Sequence, residues 1–242
     1  MTLPKTSKRR ADQLRPLRFR RGFVDTAAGS VLVEMGRTRV LCNASVVAEI
    51  PRWREGSGLG WVTAEYSMLP AAATPRKARS RTGHTDGRGT EIQRLVGRVL
   101  RMVVDMEKLG RNTIYLDCDV LQADGGTRTA AINGAYVALV DAVRWARKEK
   151  MIDDHPITGA VGAVSVGMVK GKAVLDLDYE LDSGAEVDLN VAMTGDDRFV
   201  EIQGTAEQVP FSEEELGKML ALAHRGINKI LREQKRCLGI KT

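Results

Sequence analysis

The sequence predicts an α+β fold with mixed sheets. Two observations carry the prediction. Alternating, β-branched segments and helical apolar stripes follow one another in the order strands, helix, strand, helix, strands, helix. Glycine-centred turns join neighbouring strands as hairpins. The order fits two related β-α lobes, and with no short-period repeat and no clean linker, one domain over residues 1–242 is the expectation.

Taken in order, residues 1–14 are polar and basic and read as a mobile arm that settles near Leu14-Arg15-Pro16. Residues 30–34 and 38–50 alternate and are rich in Val, with Gly36 between them, so they read as two strands and a turn. Pro51 and three glycines make 51–60 a loop, and 61–69 a further short strand. Residues 70–90 hold Pro70, Pro75, three glycines, Arg76, Lys77, Arg79, Arg81 and Arg88, and almost no apolar side chain larger than alanine. They read as a long basic loop, a kind of segment that is usually functional or disordered. Ile92, Leu95, Val96, Val99, Leu100, Val103 and Met106 recur at helical spacing up to Gly110. A strand over 113–120, a Gly125-Gly126 turn and a helix over about 129–150 follow. Hairpins are expected at 160–169 with 173–179, and at 186–194 with 198–203. Ser212 followed by Glu213, Glu214 and Glu215 is an N-cap with acids in the first turn of a helix reaching about residue 236.

The composition, 43% apolar and 28% charged over 242 residues, is that of a globular protein able to build a core. No apolar run approaches the ~18 residues of a spanning helix, and the N-terminus has no apolar stretch, which argues against a signal peptide and for a cytoplasmic protein. Cys42, Cys118 and Cys237 are too dispersed for a disulfide framework or a zinc site. The net charge of +6 hides an asymmetry: residues 1–110 carry 21 basic and 10 acidic side chains, residues 111–242 carry 16 and 21. A chain polarised in this way suggests a polyanionic partner for one part and a cation for the other.

Three constellations carry chemistry. Asp124-Gly125-Gly126-Thr127-Arg128-Thr129 stands at the end of a strand and the start of a helix. Glycines admit an anion to the backbone, and free amides, hydroxyls and a guanidinium suit phosphate. Arg128 in a first helical turn opposes the helix dipole, a placement that a bound anion would explain; the alternative is a capped tight turn. The acidic run Asp176, Asp178, Glu180, Asp182, with Glu186 and Asp188 beyond it, contains no base. On a strand its even members would share one face, and oxygen ligands suit Mg²⁺ or Mn²⁺. A straight strand would hold Asp176 and Asp182 about 20 Å apart, so a shared metal requires a bend; the alternative is an exposed polar edge. The third is the basic set Arg76, Lys77, Arg79, Arg81, Arg88, Arg94, Arg98 and Arg101, suited to phosphate backbones or simply solvated. His84, His155 and His224 are scattered, there is no aromatic stacking platform of the RNA-recognition type, and Trp53, Trp61 and Trp145 read as packing residues. A phosphate site, a carboxylate metal site and a polyanion track together describe phosphorolysis, in which inorganic phosphate attacks a phosphodiester in line.

These segments resemble the ribonuclease PH family. The resemblance lies in Leu121–Ala130, Gly87–Leu95 (Gly-Arg-Gly-Thr-Glu-Ile-Gln-Arg-Leu), Trp61–Tyr66, Val200–Glu207 and Asp12–Pro16, and runs from about residue 9 to about 236. It implies a duplicated β-α lobe like ribosomal protein S5 domain 2. It also implies a phosphorolytic 3′→5′ exoribonuclease acting on tRNA precursors, releasing nucleoside diphosphates and reversible as a nucleotidyltransferase. Arg88, Gly126, Thr127 and Arg128 would hold inorganic phosphate. Asp176 and Asp182 would be the catalytic, Mg²⁺-associated carboxylates. Arg76, Arg79 and Arg81 would guide tRNA, and the assembly would be a homo-hexameric ring. A silent, RNA-binding ring subunit is the second reading; such relatives typically lack the aspartates or the phosphate arginine, all of which are present here. The chain departs from the family at Leu181, usually an acid, and at Gln208-Val209, often a glycine.

Overall fold

A computed structural model of the chain describes residues 9–79 and 86–240. The first sheet contains β1 (Leu17–Arg21), β2 (Gly29–Met35), β3 (Thr38–Val47), β4 (Trp61–Met68) and β5 (Thr113–Gln122), in the order β1-β2-β3-β5-β4. Only β4 and β5 are parallel; the other pairs are antiparallel. The alternation of β3 buries Thr38, Val40, Cys42 and Ala44 and turns Arg39 and Ser45 outward, as a half-buried strand requires. Helices α1 (Gly87–Arg101) and α3 (Thr127–Lys148) pack on this sheet and on each other, and the short α2 (Met106–Leu109) precedes β5. The second sheet contains β6 (Val161–Val169), β7 (Lys172–Leu175), β8 (Val187–Thr194) and β9 (Phe199–Ala206). It is antiparallel throughout, in the order β7-β6-β8-β9. The short α4 (Tyr179–Ser183) follows β7, and α5 (Glu213–Leu238) packs on β6 and β7. The result is a mixed α+β fold with two sheets, as the order of elements predicts. The core residues of both sheets form one cluster.

Helix α3 joins the two halves. Sixteen of its residues are buried, most of them Ala, Gly and Val, so its surface is apolar nearly all round, unlike a surface helix. Small side chains let its neighbours come close. A Cβ on Gly29 would stand 2.1 Å from the Ala138 carbonyl oxygen, and one on Gly134 would stand 2.7 Å from Cys42 Sγ. Asn133, fully buried, donates to the Ala163 carbonyl and accepts from the Ala163 amide, both at 2.8 Å. Gln234 of α5 donates to the Asn133 and Val161 carbonyls. These amides pair polar backbone that burial would otherwise leave unpaired, at a cost of about 1–3 kcal/mol per group.

The structure corrects five features of the expected elements. The apolar stripe expected as one helix up to Gly110 is broken, since α1 ends at Arg101 and Met106 opens α2. Strand β1 was not foreseen: Leu-Arg-Phe-Arg-Arg is polar, and as an edge strand it half-buries only Leu17 and Phe19. Residues 87–90, expected in the loop, are the first turn of α1 behind Asp86. Helix α3 begins at Thr127 rather than 129. The strand expected over 173–179 stops at Leu175, because Asp176 takes a left-handed conformation (φ 57) and Asp178 caps α4. The acids at 176, 178, 180 and 182 therefore share no strand face. All three cysteines are free, and among the described residues no helix is long and apolar enough to cross a membrane. Residues 1–8 of the basic arm, together with Arg81 and His84, lie outside the described residues.

Candidate active site

One wall of the site is the turn from β5 into α3. Gly125 (φ 75) and Gly126 (φ 64) are left-handed, a conformation that glycine adopts without steric cost. A Cβ on Gly125 would lie 2.6 Å from backbone atoms of Leu177 and Asp178, so the turn rests directly on the acidic segment. Thr38 clamps it: its Oγ1 donates to the Gly125 carbonyl (2.7 Å) and accepts from the Asp124 amide (3.0 Å). No side chain caps α3, and its first backbone bond runs from the Ala130 amide to the Gly126 carbonyl. The amides of the first turn are thus open to an anion at the positive end of a helix of 22 residues.

Two guanidiniums flank these amides. Arg88, in the first turn of α1, is exposed. Arg128 is braced by Glu91 of α1 (3.3 Å) and by Gln203 of β9, and Gln203 itself donates to Glu91. Tyr66 donates to Thr127 Oγ1 at 2.8 Å, which fixes that hydroxyl. Arg88, Gly126, Thr127 and Arg128 line one cleft of about 460 Å³.

The opposite wall is carboxylate. Asp182 of α4 and Asp188 of β8 line the same cleft, with Ser165, Asn190 and Glu207 beside them. Burial raises the pKa of Asp182, while Arg88 and Arg128 lower it in part. Burial and the negative charge of Asp182 push Asp188 up to about 6. Asn190 donates to Asp188 Oδ2 (3.3 Å), but Asp188 Oδ1 is buried with no hydrogen-bond partner. An orphaned buried carboxylate oxygen beside a second carboxylate is a poor arrangement for an empty site and a good one for a divalent cation. Among the described residues no group of three or more His, Cys, Asp or Glu side chains could hold a metal ion. Two carboxylates still fit Mg²⁺, which commonly takes one or two carboxylates and completes its shell with water and substrate phosphate.

The structure does not bring Asp176 to this cleft, contrary to its expected pairing with Asp182. Asp176 is fully buried, and its carboxylate accepts from the Arg15 amide (2.7 Å) and from Arg15 Nη2 (2.7 Å). Arg15 also donates to the Asp124 carbonyl. Asp176 therefore holds Arg15, which ties the Gly125-Gly126 turn to the acidic segment. Asp188, marked in the sequence only as one more acid, takes the expected place of Asp176 in the cleft. Its signal was present in β8, where Asp188 and Asn190 alternate against buried Val187, Leu189 and Val191.

A second cleft of about 620 Å³ shares Arg88, Gly126, Thr127 and Asp182 with the first and continues past Arg37, Met68, Lys77 and Tyr179. It leads toward the segment that carries Arg76 and Arg79, both exposed.

Comparison with known proteins shows which family the chain belongs to. Residues 13–144 match the 3′ exoribonuclease family, domain 1, and residues 159–226 match domain 2 of that family. The chain is 55% identical over 235 residues to ribonuclease PH of Bifidobacterium longum, covering 96% of this chain and 95% of that protein. Among solved structures it resembles rice (Oryza sativa) Rrp46 (TM-score 0.77, 19% identity, 96% of this chain and 98% of that one). It also resembles a chain of the Archaeoglobus fulgidus exosome with RNA bound to the active site (TM-score 0.79, 22% identity, 93% and 90%). The match of both family domains and the near-complete coverage at 55% identity lead to one conclusion: the chain belongs to the 3′ exoribonuclease family.

Proposed function

We propose that this chain is a phosphorolytic 3′→5′ exoribonuclease that trims tRNA precursors, releases nucleoside diphosphates and runs in reverse as a nucleotidyltransferase. One observation carries the reading: an uncapped helix start flanked by two arginines faces a carboxylate pair across a single cleft. Hydrolysis would need the carboxylates and a water but no built anion pocket. The closely similar ribonuclease PH supports the same reaction.

In this mechanism Arg88, Arg128 and the first-turn amides of α3 hold inorganic phosphate and spread its charge. Tyr66 and Gln203 keep Thr127 and Arg128 oriented. A phosphate oxygen attacks the phosphorus of the last phosphodiester, and the bond from phosphorus to the 3′ oxygen of the penultimate nucleotide breaks. The terminal nucleotide leaves as a diphosphate, and the new RNA end takes a proton as its 3′-hydroxyl. Asp182 and Asp188 would hold Mg²⁺ or Mn²⁺, whose charge offsets that of the scissile phosphate. Arg76, Arg79 and Arg81 would steer the RNA backbone toward the second cleft. A cytoplasmic homo-hexamer completes the proposal, and the exosome-core relatives are consistent with a ring. The test is a tRNA carrying extra 3′ nucleotides, with and without phosphate. Phosphate-dependent shortening to diphosphates supports the reading, and monophosphates formed in phosphate-free buffer overturn it.

A further inference from the structure

Strand β4 and helix α1 both lead away from the cleft. Tyr66 near the end of β4 reaches Thr127, and Arg88 opens α1. Trp61 at the start of β4 and Arg101 at the end of α1 meet at the other extreme. From Arg88 to Arg101 the helix rises about 20 Å, at roughly 1.5 Å per residue.

That far end holds a cluster of two tryptophans and two arginines, in which Arg101 also donates to the Val62 carbonyl (3.0 Å). Trp53 and Trp61 meet edge to face, with centroids 4.9 Å apart. The Arg54 guanidinium lies 4.5 Å from the Trp61 ring and 5.1 Å from that of Trp53, and Arg101 lies 4.4 Å from Trp61. Trp61 is half-buried, but Trp53 is 67% exposed. Neither Arg54 nor Arg101 has a carboxylate partner among the described residues, and Arg54 Nε is buried with no hydrogen-bond partner. Burial and the neighbouring charges of Arg98 and Arg54 lower the pKa of Arg101. Each guanidinium is attracted to an indole face, but the arginines repel one another, and a polyanion with stacking bases would offset that repulsion and use the open Trp53 ring. The adjoining Gly56 and Gly58 stand in open space.

We propose that Trp53, backed by Arg54 and Arg101, is a stacking platform for single-stranded RNA at a second subsite about 20 Å from the phosphate cleft. The inference rests on the exoribonuclease reading above and extends it. An RNA whose 3′ end occupies the cleft reaches Trp53 only through several nucleotides, about six at a stacked rise of about 3.4 Å each and fewer if the strand is stretched. The platform therefore tightens long tails and leaves the shortest substrates alone.

The experiment measures KM and kcat for phosphorolysis of a trinucleotide and of a single strand of about twelve nucleotides, together with direct binding of the longer strand in the absence of phosphate. Base stacking of this kind predicts that Trp53→Ala raises KM and Kd for the long strand about tenfold. It leaves kcat and the trinucleotide KM unchanged, and Trp53→Phe restores most of the loss. Equal effects on both lengths, no effect on either, or a shift in the sedimentation of Trp53→Ala would overturn the platform in favour of packing or self-association. If the wild type binds the long strand through Trp53 but yields no diphosphates, the phosphorolytic reading falls and the platform stands.

Discussion

Replacing Asp188 with Asn removes the charge that the cleft tolerates least. In the folded, metal-free protein burial and Asp182 hold the Asp188 pKa at about 6 against an ordinary 3.8. Such a raised pKa supports the folded state only while the carboxyl is protonated. The contribution is whole below about pH 4 and is lost as pH rises through about 6. At 1.36 kcal/mol per unit, the ionised group costs at most about 3 kcal/mol at neutral pH. Partial contact with water reduces this to about 2 kcal/mol. For a chain of this size, Asp188→Asn then raises Tm by about 4–8 °C at pH 8 in the presence of a chelator. The gain disappears near pH 4, where the wild-type carboxyl is neutral. Mg²⁺ narrows the gap by stabilising the wild type alone, and turnover is lost. Thermal and urea unfolding at the two pH values check each part. A variant less stable than the wild type at pH 8, or equally stabilised at both pH values, would refute the electrostatic argument.

Three further outcomes follow from the same geometry. Arg128→Ala removes charge-assisted contacts worth about 1.5–3 kcal/mol, so KM for phosphate rises about 30-fold while RNA affinity measured by filter binding changes little. Arg15→Met leaves the Asp176 carboxylate buried and unpaired, at a cost of about 3–5 kcal/mol in urea unfolding; the double replacement with Asp176→Leu recovers most of that stability. Gly125→Ala forces a Cβ to within 2.6 Å of the Leu177 and Asp178 backbone at φ 75. Differential scanning calorimetry shows a loss of at least about 2 kcal/mol, and phosphate saturation weakens as the turn shifts.

Strands β3 and β5 of the first sheet were legible because each buries about every second residue, a pattern local to its segment, whereas the polar edge strand β1 carries no such pattern. The glycine turn proposed to hold phosphate was legible for a related reason: Gly125-Gly126 and the misplaced charge of Arg128 are neighbours in sequence. The carboxylate wall was harder to read. Asp176, Asp178, Glu180 and Asp182 alternate as strand residues do, and nothing local reveals that Asp176 turns left-handed and Asp178 caps a helix of five residues. The ion pair that explains Asp176 joins it to Arg15, 161 residues away. A pairing at that distance leaves no periodic trace. Trp53 packs edge to face on Trp61 as a packing residue would, yet it is 67% exposed, which nothing in the sequence around it reveals.

A cleft that activates phosphate rather than water makes trimming depend on phosphate. The most direct measurement follows the 3′ trimming of a tRNA precursor by the wild-type protein and by Arg128→Ala across a phosphate titration, with the released nucleotides separated by chromatography. Nucleoside diphosphates that rise with phosphate and saturate at about 30-fold higher phosphate in the variant are the predicted result. Nucleoside monophosphates released at a rate indifferent to phosphate in both proteins would contradict it.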